Sequence, residues 1–594
     1  MRSILFIFIC CCSQLAFSQE DFLAKRYFDD GEFDKAVVFY EKLVEKNPGR
    51  NDYGERLVAC YQQLERYGEA EEFLLEAIRK IAVYPTMYVE LGYNYTLMGM
   101  SEKAVEYYNG ALAQIEENPN FGYGIGYRFQ KYALLDYALR AYSKAMELNP
   151  QLDYNMQMAK IYGEQGDIEK MYGAYLKMLG EGKVSTAMVL HNINAFIGVE
   201  AESPNNVIFK RMLLQNVQKD PDLLWNELLA WLFVQQKQYN SAFVQEKAIY
   251  KRSVEKSFQR LEGLGKLAQE DLEMDVAKEI FTYIIENSGD PITRLGAQLD
   301  LIELELLHTD EKTLSAVQKT FAQLLEVHGY KMETLQLQIA YANFLTFNRD
   351  SPEPAIAILE KCLELPLNPY GTSYIKNALG DILVYDQQFN RALIYFSQIQ
   401  KGLKNDVLGQ EARFKVARTS FYKGDFDWAL TQLKVLRAST SQLIANDAMQ
   451  LSLLISDNSL EDSTRTALKQ YARADLLDYR NKKMEAVALL DGILENHKGE
   501  KIEDEALLKQ GEILTDVKEY GKAEFNYLKI TEFYADDILA DDAHFALAEL
   551  YRTVLGQPEK AMAHYERIIY DHPDSYFFPQ ARKYFRQLRG DHLN

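Results

Sequence analysis

Residues 85 to 119 place small and bulky side chains in a fixed order that constrains the fold more than any other stretch. Leu91 and Tyr95 stand four residues apart, which is one turn of a helix. Gly92 and Ala104 are small enough to let two helix backbones approach closely. The order therefore predicts two antiparallel helices that pack against each other.

Turn signals separate these two helices and close the pair. Gly99 stands where the first helix must end, and Pro119 ends the second. The spacing resembles the tetratricopeptide repeat, whose period is about 34 residues, and the same order recurs through most of residues 20 to 590. The resemblance implies an all-α fold, a tetratricopeptide-repeat α-solenoid in which antiparallel helix pairs form a right-handed superhelix.

Composition favours the same architecture. Hydrophobic residues make up 47% and aromatic residues 12% of the 594 residues, which excludes a disordered chain. Only 14 prolines and 32 glycines fit continuous helices better than a turn-rich β sandwich. The formal net charge of −21 argues against nucleic acid as a partner, because an acidic surface repels phosphates.

The N-terminus has the features of a secretory signal peptide. Arg2 precedes a short apolar run from residue 4 to 12, and small residues at 16 and 18 predict cleavage after Ser18. An uncleaved anchor is one alternative, and lipidation at Cys10, Cys11 or Cys12 is another. No later apolar run is long enough to cross a bilayer. We therefore expect an exported, periplasmic protein with no transmembrane segment after signal cleavage.

The remaining chain is predicted to fall into four parts. Residues 19–180 form an N-terminal repeat block, and residues 181–222 form an irregular helical joint in which glycines and Pro204 interrupt the pattern. Residues 223–456 form a middle block. Residues 457–594 form a C-terminal block that ends in a basic capping helix.

The C-terminal block also resembles the helical repeats of bacterial envelope proteins such as BamD and CpoB. The residues that carry this resemblance are His572-Pro573-Asp574-Ser575, Ala581-Arg582-Lys583 and Leu588-Arg589-Gly590. The resemblance implies a role in envelope or outer-membrane protein assembly and peripheral association with that machinery.

Signatures of catalysis or cofactor binding are not found. The eight histidines are scattered without metal-ligand spacing, and His564 and His572 are the nearest neighbours among them. The glycine-rich run from residue 122 to 126 opens a helix pair, so we interpret its glycines as packing residues. Cys60 and Cys362 occupy small apolar helix positions and are predicted to be buried thiols. We expect no cofactor, no metal and no enzymatic activity.

The expected site is a groove lined by the first helix of each pair. Tyrosines interleaved with acids suit a protein or extended peptide partner, including a basic one, because aromatic area supplies affinity and charge steers the encounter. The residues predicted to face it are Val89, Tyr93, Trp231, Arg418, Phe421, Tyr422, Tyr471, Asp475, Asp478, Tyr479, Glu505, Glu512, Asp516 and Glu549.

Two alternatives to a binding scaffold stay open at this point. A hydrolytic site could lie in the joint around His191 and Glu200. An architectural role through self-association of the solenoid ends is the other alternative.

Overall fold

A computed structural model describes residues 20–79, 84–307, 310–436, 441–459 and 464–591. The predicted signal peptide lies outside the described residues. Helices connected by short turns make up these segments, and no strand occurs in them. The predicted all-α fold is confirmed. Nowhere in the described segments is a helix both long and apolar enough to cross a membrane.

The chain divides into two compact units, of which the first ends at Val276 and the second begins at Ala277. The division falls inside the helix Met274–Asn287. The helices up to this division are α1 (residues 20–29), α2 (Phe33–Lys46), α3 (Asn51–Gln63), α4 (Tyr67–Arg79), α5 (Thr86–Leu97), α6 (Ser101–Glu117), α7 (Gly122–Lys131), α8 (Leu135–Leu148), α9 (Asn155–Glu164), α10 (Ile168–Gly180), α11 (Thr186–Ile193), α12 (Pro204–Lys219), α13 (Leu223–Gln235), α14 (Tyr239–Arg252), α15 (Gln259–Glu270) and α16 (Met274–Asn287).

The second unit continues the pairing except at the single helix α25 and at its last helix, α32. Its helices are α17 (Pro291–Glu305), α18 (Glu311–His328), α19 (Leu335–Asn343), α20 (Pro352–Cys362), α21 (Pro369–Tyr385), α22 (Phe389–Gly402), α23 (Val407–Lys423), α24 (Phe426–Leu436), α25 (Gln442–Asp457), α26 (Thr466–Tyr479), α27 (Lys483–Asn496), α28 (Ile502–Asp516), α29 (Tyr520–Phe533), α30 (Ala540–Glu549), α31 (Pro558–Asp571) and α32 (Phe578–Arg589).

One contact recurs inside the helix pairs: a glycine on the first helix lies under an aromatic ring on the second. A Cβ atom built on Gly92 of α5 would lie 2.5 Å from the ring of Tyr108 on α6, so no larger residue fits without displacing the ring. The same contact joins Gly126 to Tyr142, Gly380 to Phe396 and Gly511 to Tyr527. The packing interpretation of Gly126 is confirmed.

The turns within the pairs use left-handed backbone. Gly99 has a φ of +74° between α5 and α6, as its predicted role in ending a helix requires. Ala133, in the same place between α7 and α8, adopts a φ of +55° without being glycine. The pair geometry therefore sets the turn conformation even where the local residue does not favour it.

Two first helices end in a π-helical turn, Phe344–Asn348 after α19 and Leu550–Val554 after α30. The sequence places one extra residue between Leu555 and Pro558 in the last pair. In the structure the π turn lies earlier, at the end of the helix itself, because a wider turn can hold one more residue without breaking the helical hydrogen bonding.

The region from 181 to 222 contains α11 and α12, and α12 packs against both α10 and α13. Its role as a joint stays a prediction, as do the other predicted block boundaries. Cys60 and Cys362 are buried and free, as expected.

We predict that Gly511→Ala destabilises the protein, because the added methyl group would overlap the ring of Tyr527. The expected cost is about 1–3 kcal/mol, typical of overpacking, and it should appear as a lower midpoint of thermal unfolding by circular dichroism. Gly492→Ala in α27 is the matched control, because a Cβ atom there meets no atom within 4 Å. We expect the control to raise the midpoint, since alanine favours helix over glycine by about 1 kcal/mol. Equal effects of the two substitutions would contradict the packing role of Gly511.

Candidate protein-binding surface

The first helices of the pairs in unit 2 lie side by side. α23 contacts α26 and α26 contacts α28 directly. We call the side formed by α21, α23, α26, α28 and α30 the first-helix surface. The residue after the small contact residue lies about 100° further around each helix, away from the second helix. Asp381, Arg418, Asp475 and Glu512 occupy this position.

Ion pairs connect neighbouring first helices across this surface. The Lys509 Nζ atom lies 3.3 Å from a carboxylate oxygen of Asp475 and 2.8 Å from one of Asp478. The Arg418 guanidinium lies 3.6 Å from Asp475, and Lys415 lies 2.6 Å from Asp381. The basic side chains of this part of the surface are thus already engaged by acids.

The carboxylates further along are not balanced in this way. Desolvation, followed by repulsion from Asp504 and Asp542, raises the pKa of Glu505 to about 8. Desolvation is also the main reason that the pKa of Asp504 is raised to about 6 and that of Asp542 to about 7. Within the described segments the Glu505 carboxylate has no ion-pair or hydrogen-bond partner. Between α28 and α30 the surface therefore holds closely spaced carboxyl groups that have no basic partner among the described residues, and Glu505 is largely protonated at neutral pH.

An aromatic cluster lies on the same surface around Tyr479, at the end of α26. The Tyr479 ring packs edge-on against Phe347 and lies 6.2 Å from the ring of Tyr422. Its hydroxyl donates a hydrogen bond of 3.1 Å to the backbone carbonyl of Asp381 in α21. α26 thus reaches back past α23 to a helix nearly one hundred residues earlier, which fixes the local arrangement of the three first helices.

Next to this cluster is a cavity of about 410 Å³ between α21, α23, α25 and the end of α26. Arg418 and Tyr422 line it together with Tyr479. The Arg418 Nε atom donates a hydrogen bond of 2.8 Å to the Tyr422 hydroxyl. We call it the α25 cavity. It brings together three residues that the sequence predicted for a binding site.

The other predicted residues of unit 2 lie along the acidic part of the first-helix surface. Glu512 and Asp516 are exposed, and Lys483 donates a hydrogen bond of 2.5 Å to Asp516. Tyr471 is buried at 8% exposure, with Glu505 and Asp475 among the charges nearest to it. Glu549 is instead paired with Arg552 and with the Tyr565 hydroxyl. The role of each residue in binding stays a prediction.

Two predicted residues, Tyr93 and Trp231, belong to unit 1. Tyr93 is half-buried and stacks on Tyr132, with ring centroids 3.8 Å apart. The Tyr132 hydroxyl donates a hydrogen bond of 2.5 Å to Glu90, which the Arg128 guanidinium also contacts at 2.8 Å. Trp231 is half-buried on α13. Tyr93 therefore belongs to a packed polar network.

Two residues expected to face the groove are buried instead. Val89 and Phe421 have no exposed surface, so their predicted inward orientation is wrong. α5 contacts both α3 and α7, and this contact covers Val89. Phe421 packs against Phe426 in the adjacent α24. Sequence spacing cannot tell the surface side of a first helix from the side that neighbouring helices cover.

The sequence also missed several residues of this surface. Asp447 and Leu443 of α25 line the cavity, and Lys509 and Lys415 neutralise acids. The repeat pattern gave no reason to single out α25, because this helix does not belong to a pair. Lys509 directly follows Leu508, and Lys415 directly follows Phe414. An analysis of which positions of each first helix face the surface could have predicted both lysines.

Two histidines that the sequence provides no reason to pair lie next to each other in the structure. The Nδ1 atoms of His544 in α30 and His564 in α31 are 2.9 Å apart, while the His572 ring lies 6.0 Å from that of His544. Burial is the main cause that lowers the pKa of His544 and of His564 to about 4. At neutral pH they are an uncharged pair. In the described part of the chain, no three histidine, cysteine or acidic side chains are placed to hold a metal ion.

The residues proposed for a hydrolytic site do not converge. His191 and Glu200 are both exposed, on α11 and in the loop before α12. A shallow cavity on α12 is lined by Lys210, Arg211 and neighbouring residues and contains neither of them. The geometry gives this alternative no support.

Two segments of the chain match the tetratricopeptide repeat, residues 85–118 and residues 542–575. The first corresponds to α5 and α6, and the second to α30 and α31. Over 168 residues the chain is 32% identical to the TPR repeat-containing protein MJ1428 of Methanocaldococcus jannaschii, and the match covers 27% of this chain and 29% of that protein. These matches support tetratricopeptide repeats as the building unit, and with them a scaffold that binds other proteins.

Other similarities are more distant. Over 130 residues the chain is 26% identical to the general transcriptional corepressor trfA of Dictyostelium discoideum, which covers 22% of this chain and 9% of that protein. The chain thus spans less than a third of either curated relative. Two solved structures align along most of the chain. The first is Naa15/Naa10 bound to HypK-THB, with a TM-score of 0.28, 13% identity and 96% of each chain covered. The second is the APC/C hetero-tetramer Cut9-Hcn1, with a TM-score of 0.23, 14% identity and 97% of each chain covered. Both TM-scores are low, and the fold assignment rests on the helix pairs and the matched repeats.

We predict that the stability of the protein falls as the pH rises from 6.5 to 8.5, and that Glu505→Gln reduces this loss. The pKa of Glu505 is about 8 in the folded chain, above the ordinary glutamate value. The stability linked to its protonated form is therefore complete at low pH and is lost as the pH rises through 8. The pKa of His544 and His564 lies near 4, so these residues titrate below this window.

Thermal unfolding midpoints at several pH values test this prediction. Glu566→Gln in α31 is the matched control, because Glu566 is exposed on a second helix and its loss removes the same charge. Parallel pH profiles for the wild type and Glu505→Gln would show that Glu505 does not titrate in this range.

Proposed function

We propose that this protein is a non-enzymatic scaffold that binds an extended, basic segment of a partner protein along the first-helix surface of unit 2. Tetratricopeptide repeats support the general mode of action, a stack of helix pairs that presents a side chain from each pair to a partner. The chemistry of the surface supports the choice of a basic partner.

The observation that carries this proposal is the cluster of Glu505, Asp504 and Asp542. Their raised pKa values mean that the folded protein holds these carboxylates close together against repulsion and desolvation. Such an arrangement lowers the stability of the folded protein, and residues that bind a partner often lower stability in this way. Lysine or arginine side chains brought in by a partner would favour the ionised form of these carboxyl groups, lower their pKa and offset their mutual repulsion.

The aromatic residues beside the acids suit a segment of protein better than a free cation. Tyr479 is half-buried, and the nearby Tyr422 and Tyr471 expose only 9% and 8% of their surface, so a partner would contact mainly Tyr479 and the edges of the other two rings. Such rings bury apolar area at low entropic cost, whereas acids at the rim steer the encounter. An extended chain that crosses α23, α26 and α28 would contact both types of group.

We further propose that the protein acts after export, in the periplasm, during assembly of envelope or outer-membrane proteins. The N-terminal signal-peptide features and the resemblance of the C-terminal block to envelope repeat proteins support this placement. The acidic charge of the chain is compatible with holding basic segments of other proteins there.

We predict that the triple variant Glu505→Gln, Glu512→Gln and Asp542→Asn binds a lysine-rich peptide at least tenfold more weakly than the wild type, because charge complementarity is removed. The probe is a fluorescent 14-residue extended peptide with alternating lysine and serine, and the readout is anisotropy at two salt concentrations. The wild type should lose affinity as salt rises, and the variant should lose much less.

The matched control carries Glu532→Gln, Glu559→Gln and Glu566→Gln, three exposed residues on the second helices α29 and α31. It removes the same number of carboxyl groups and should bind like the wild type. Weaker binding by both variants would mean that net charge alone attracts the probe. Because the surface variant removes repulsion, its thermal stability should rise, so that weaker binding is not explained by unfolding.

We predict that the exported protein begins at Gln19. Expression of the full chain in a Gram-negative host, fractionation and N-terminal sequencing test the cleavage site. A lipid-modified cysteine at the N-terminus would replace this proposal by the lipidated alternative, and an intact Met1 in the membrane fraction would replace it by the uncleaved anchor.

A further inference from the structure

The α25 cavity differs from the rest of the first-helix surface in having mostly apolar walls. Its volume of about 410 Å³ is enough for a large aromatic side chain together with part of its backbone. The apolar side chains that line it are Val384, Phe396, Val407, Phe414, Leu443 and Ile444. Val407 and Leu443 are 55% and 69% exposed, so apolar surface at the mouth of the cavity faces solvent.

The cavity exists because of a departure from the repeat. α25 is a single helix between the pair α23–α24 and the pair α26–α27, and it packs against both α24 and α23. Leu443, Ile444 and Asp447 lie on one face of its first two turns and close one side of the cavity. The cavity therefore depends on α25 and does not follow from the repeat itself.

The charge that the cavity leaves available is negative. Lys415 is engaged by Asp381 at 2.6 Å and by Glu411 at 3.5 Å. Arg418 donates to Tyr422 and lies 3.6 Å from Asp475. Asp447 forms no ion pair or hydrogen bond in the described part of the chain, although the charge of Arg418 acts on its carboxylate. A positively charged group next to the cavity could therefore form a direct ion pair with Asp447.

The rings of the cavity favour an aromatic occupant. Tyr422, Tyr479, Phe396 and Phe414 are the aromatic residues that line the space, and aromatic rings pack favourably against one another. The Arg418 guanidinium is also part of the wall, and its side chain is 43% exposed, which leaves it able to stack on an incoming ring. An aliphatic side chain would fill the volume but would use neither contact.

We propose that the α25 cavity is the anchor site of the scaffold: it takes one aromatic side chain of an extended partner segment, with a lysine or arginine next to that side chain facing Asp447. This inference rests on the proposed function and makes it more specific. The acidic part of the surface attracts any basic segment, whereas the cavity selects basic segments that carry an aromatic residue.

Three fluorescent 14-residue peptides test the anchor site by anisotropy with the full mature chain. The first is the lysine–serine peptide with one central tryptophan, the second has alanine in place of that tryptophan, and the third keeps the tryptophan but has glutamate in place of every lysine. We expect the first peptide to bind at least tenfold more tightly than the second, and the third not to bind.

Two variants locate the effect in the cavity. Leu443→Ser with Val407→Ser removes exposed apolar side chains at the mouth, so folding should not depend on them, and we expect it to reduce the tryptophan advantage below threefold. Asp447→Asn should weaken the first peptide only. Met449→Ser is the matched control, because Met449 is exposed on the same helix but does not line the cavity; it should bind all three peptides like the wild type.

The outcomes separate this inference from the proposed function. Equal binding of the first two peptides would overturn the anchor site while the basic-segment scaffold stands. Binding of neither basic peptide would overturn the scaffold. Tight binding of the acidic tryptophan peptide would overturn the charge preference. Sedimentation of the peptide-free protein gives a further outcome: a dimer that Leu443→Ser with Val407→Ser dissociates would mean that a second copy of this chain occupies the cavity.

Discussion

The contact between a glycine on a first helix and an aromatic ring on the second is the constraint on which the rest of this structure depends. A Cβ atom on Gly92 or on Gly511 would lie 2.5 Å from the ring of Tyr108 or of Tyr527, so only glycine lets the two helices approach this closely. This contact fixes which side of each first helix packs against the second helix. It therefore also fixes which side of the first helix remains available for binding. The residue after each glycine or alanine is then directed away from the partner helix, and Asp381, Arg418, Asp475 and Glu512 of the binding surface occupy this position.

The same constraint explains why the exposed side chains of the first helices can differ from repeat to repeat while the packing of the helix pairs stays the same. In unit 1 the position after the small residue holds Tyr93, Tyr127 and Trp231, whereas in unit 2 it holds Asp381, Arg418, Asp475 and Glu512. None of these residues takes part in the glycine–ring contact. Their replacement changes what a unit can bind without changing how its helices pack, so the two units present different chemistry on one architecture.

Much of the fold could be predicted from the sequence because the contacts that define each helix pair join residues that are close together in the chain. The order of small and bulky residues in 85–119 specified a helix pair, and Gly99 ended its first helix as expected. The surface was predicted less completely, for physical reasons. Val89 and Phe421 were misplaced because neighbouring helices cover part of each first helix. The contact from Tyr479 to Asp381 crosses 98 residues of sequence, and the α25 cavity depends on a helix with no repeat pattern, so neither could be read from spacing.

The π-helical turns at Phe344–Asn348 and Leu550–Val554 have a consequence for how such a chain tolerates changes in length. A single additional residue normally rotates everything that follows it by a third of a turn, which would exchange the covered and uncovered sides of every later helix. Widening one turn absorbs that residue at the end of the first helix, before the chain reverses direction. The second helix then starts in its ordinary phase, and α20 and α31 still place Ala355, Ala561 and Tyr565 in the core. The wide turns therefore confine the effect of an inserted residue to one repeat, so that the helices of the next repeat keep their orientation.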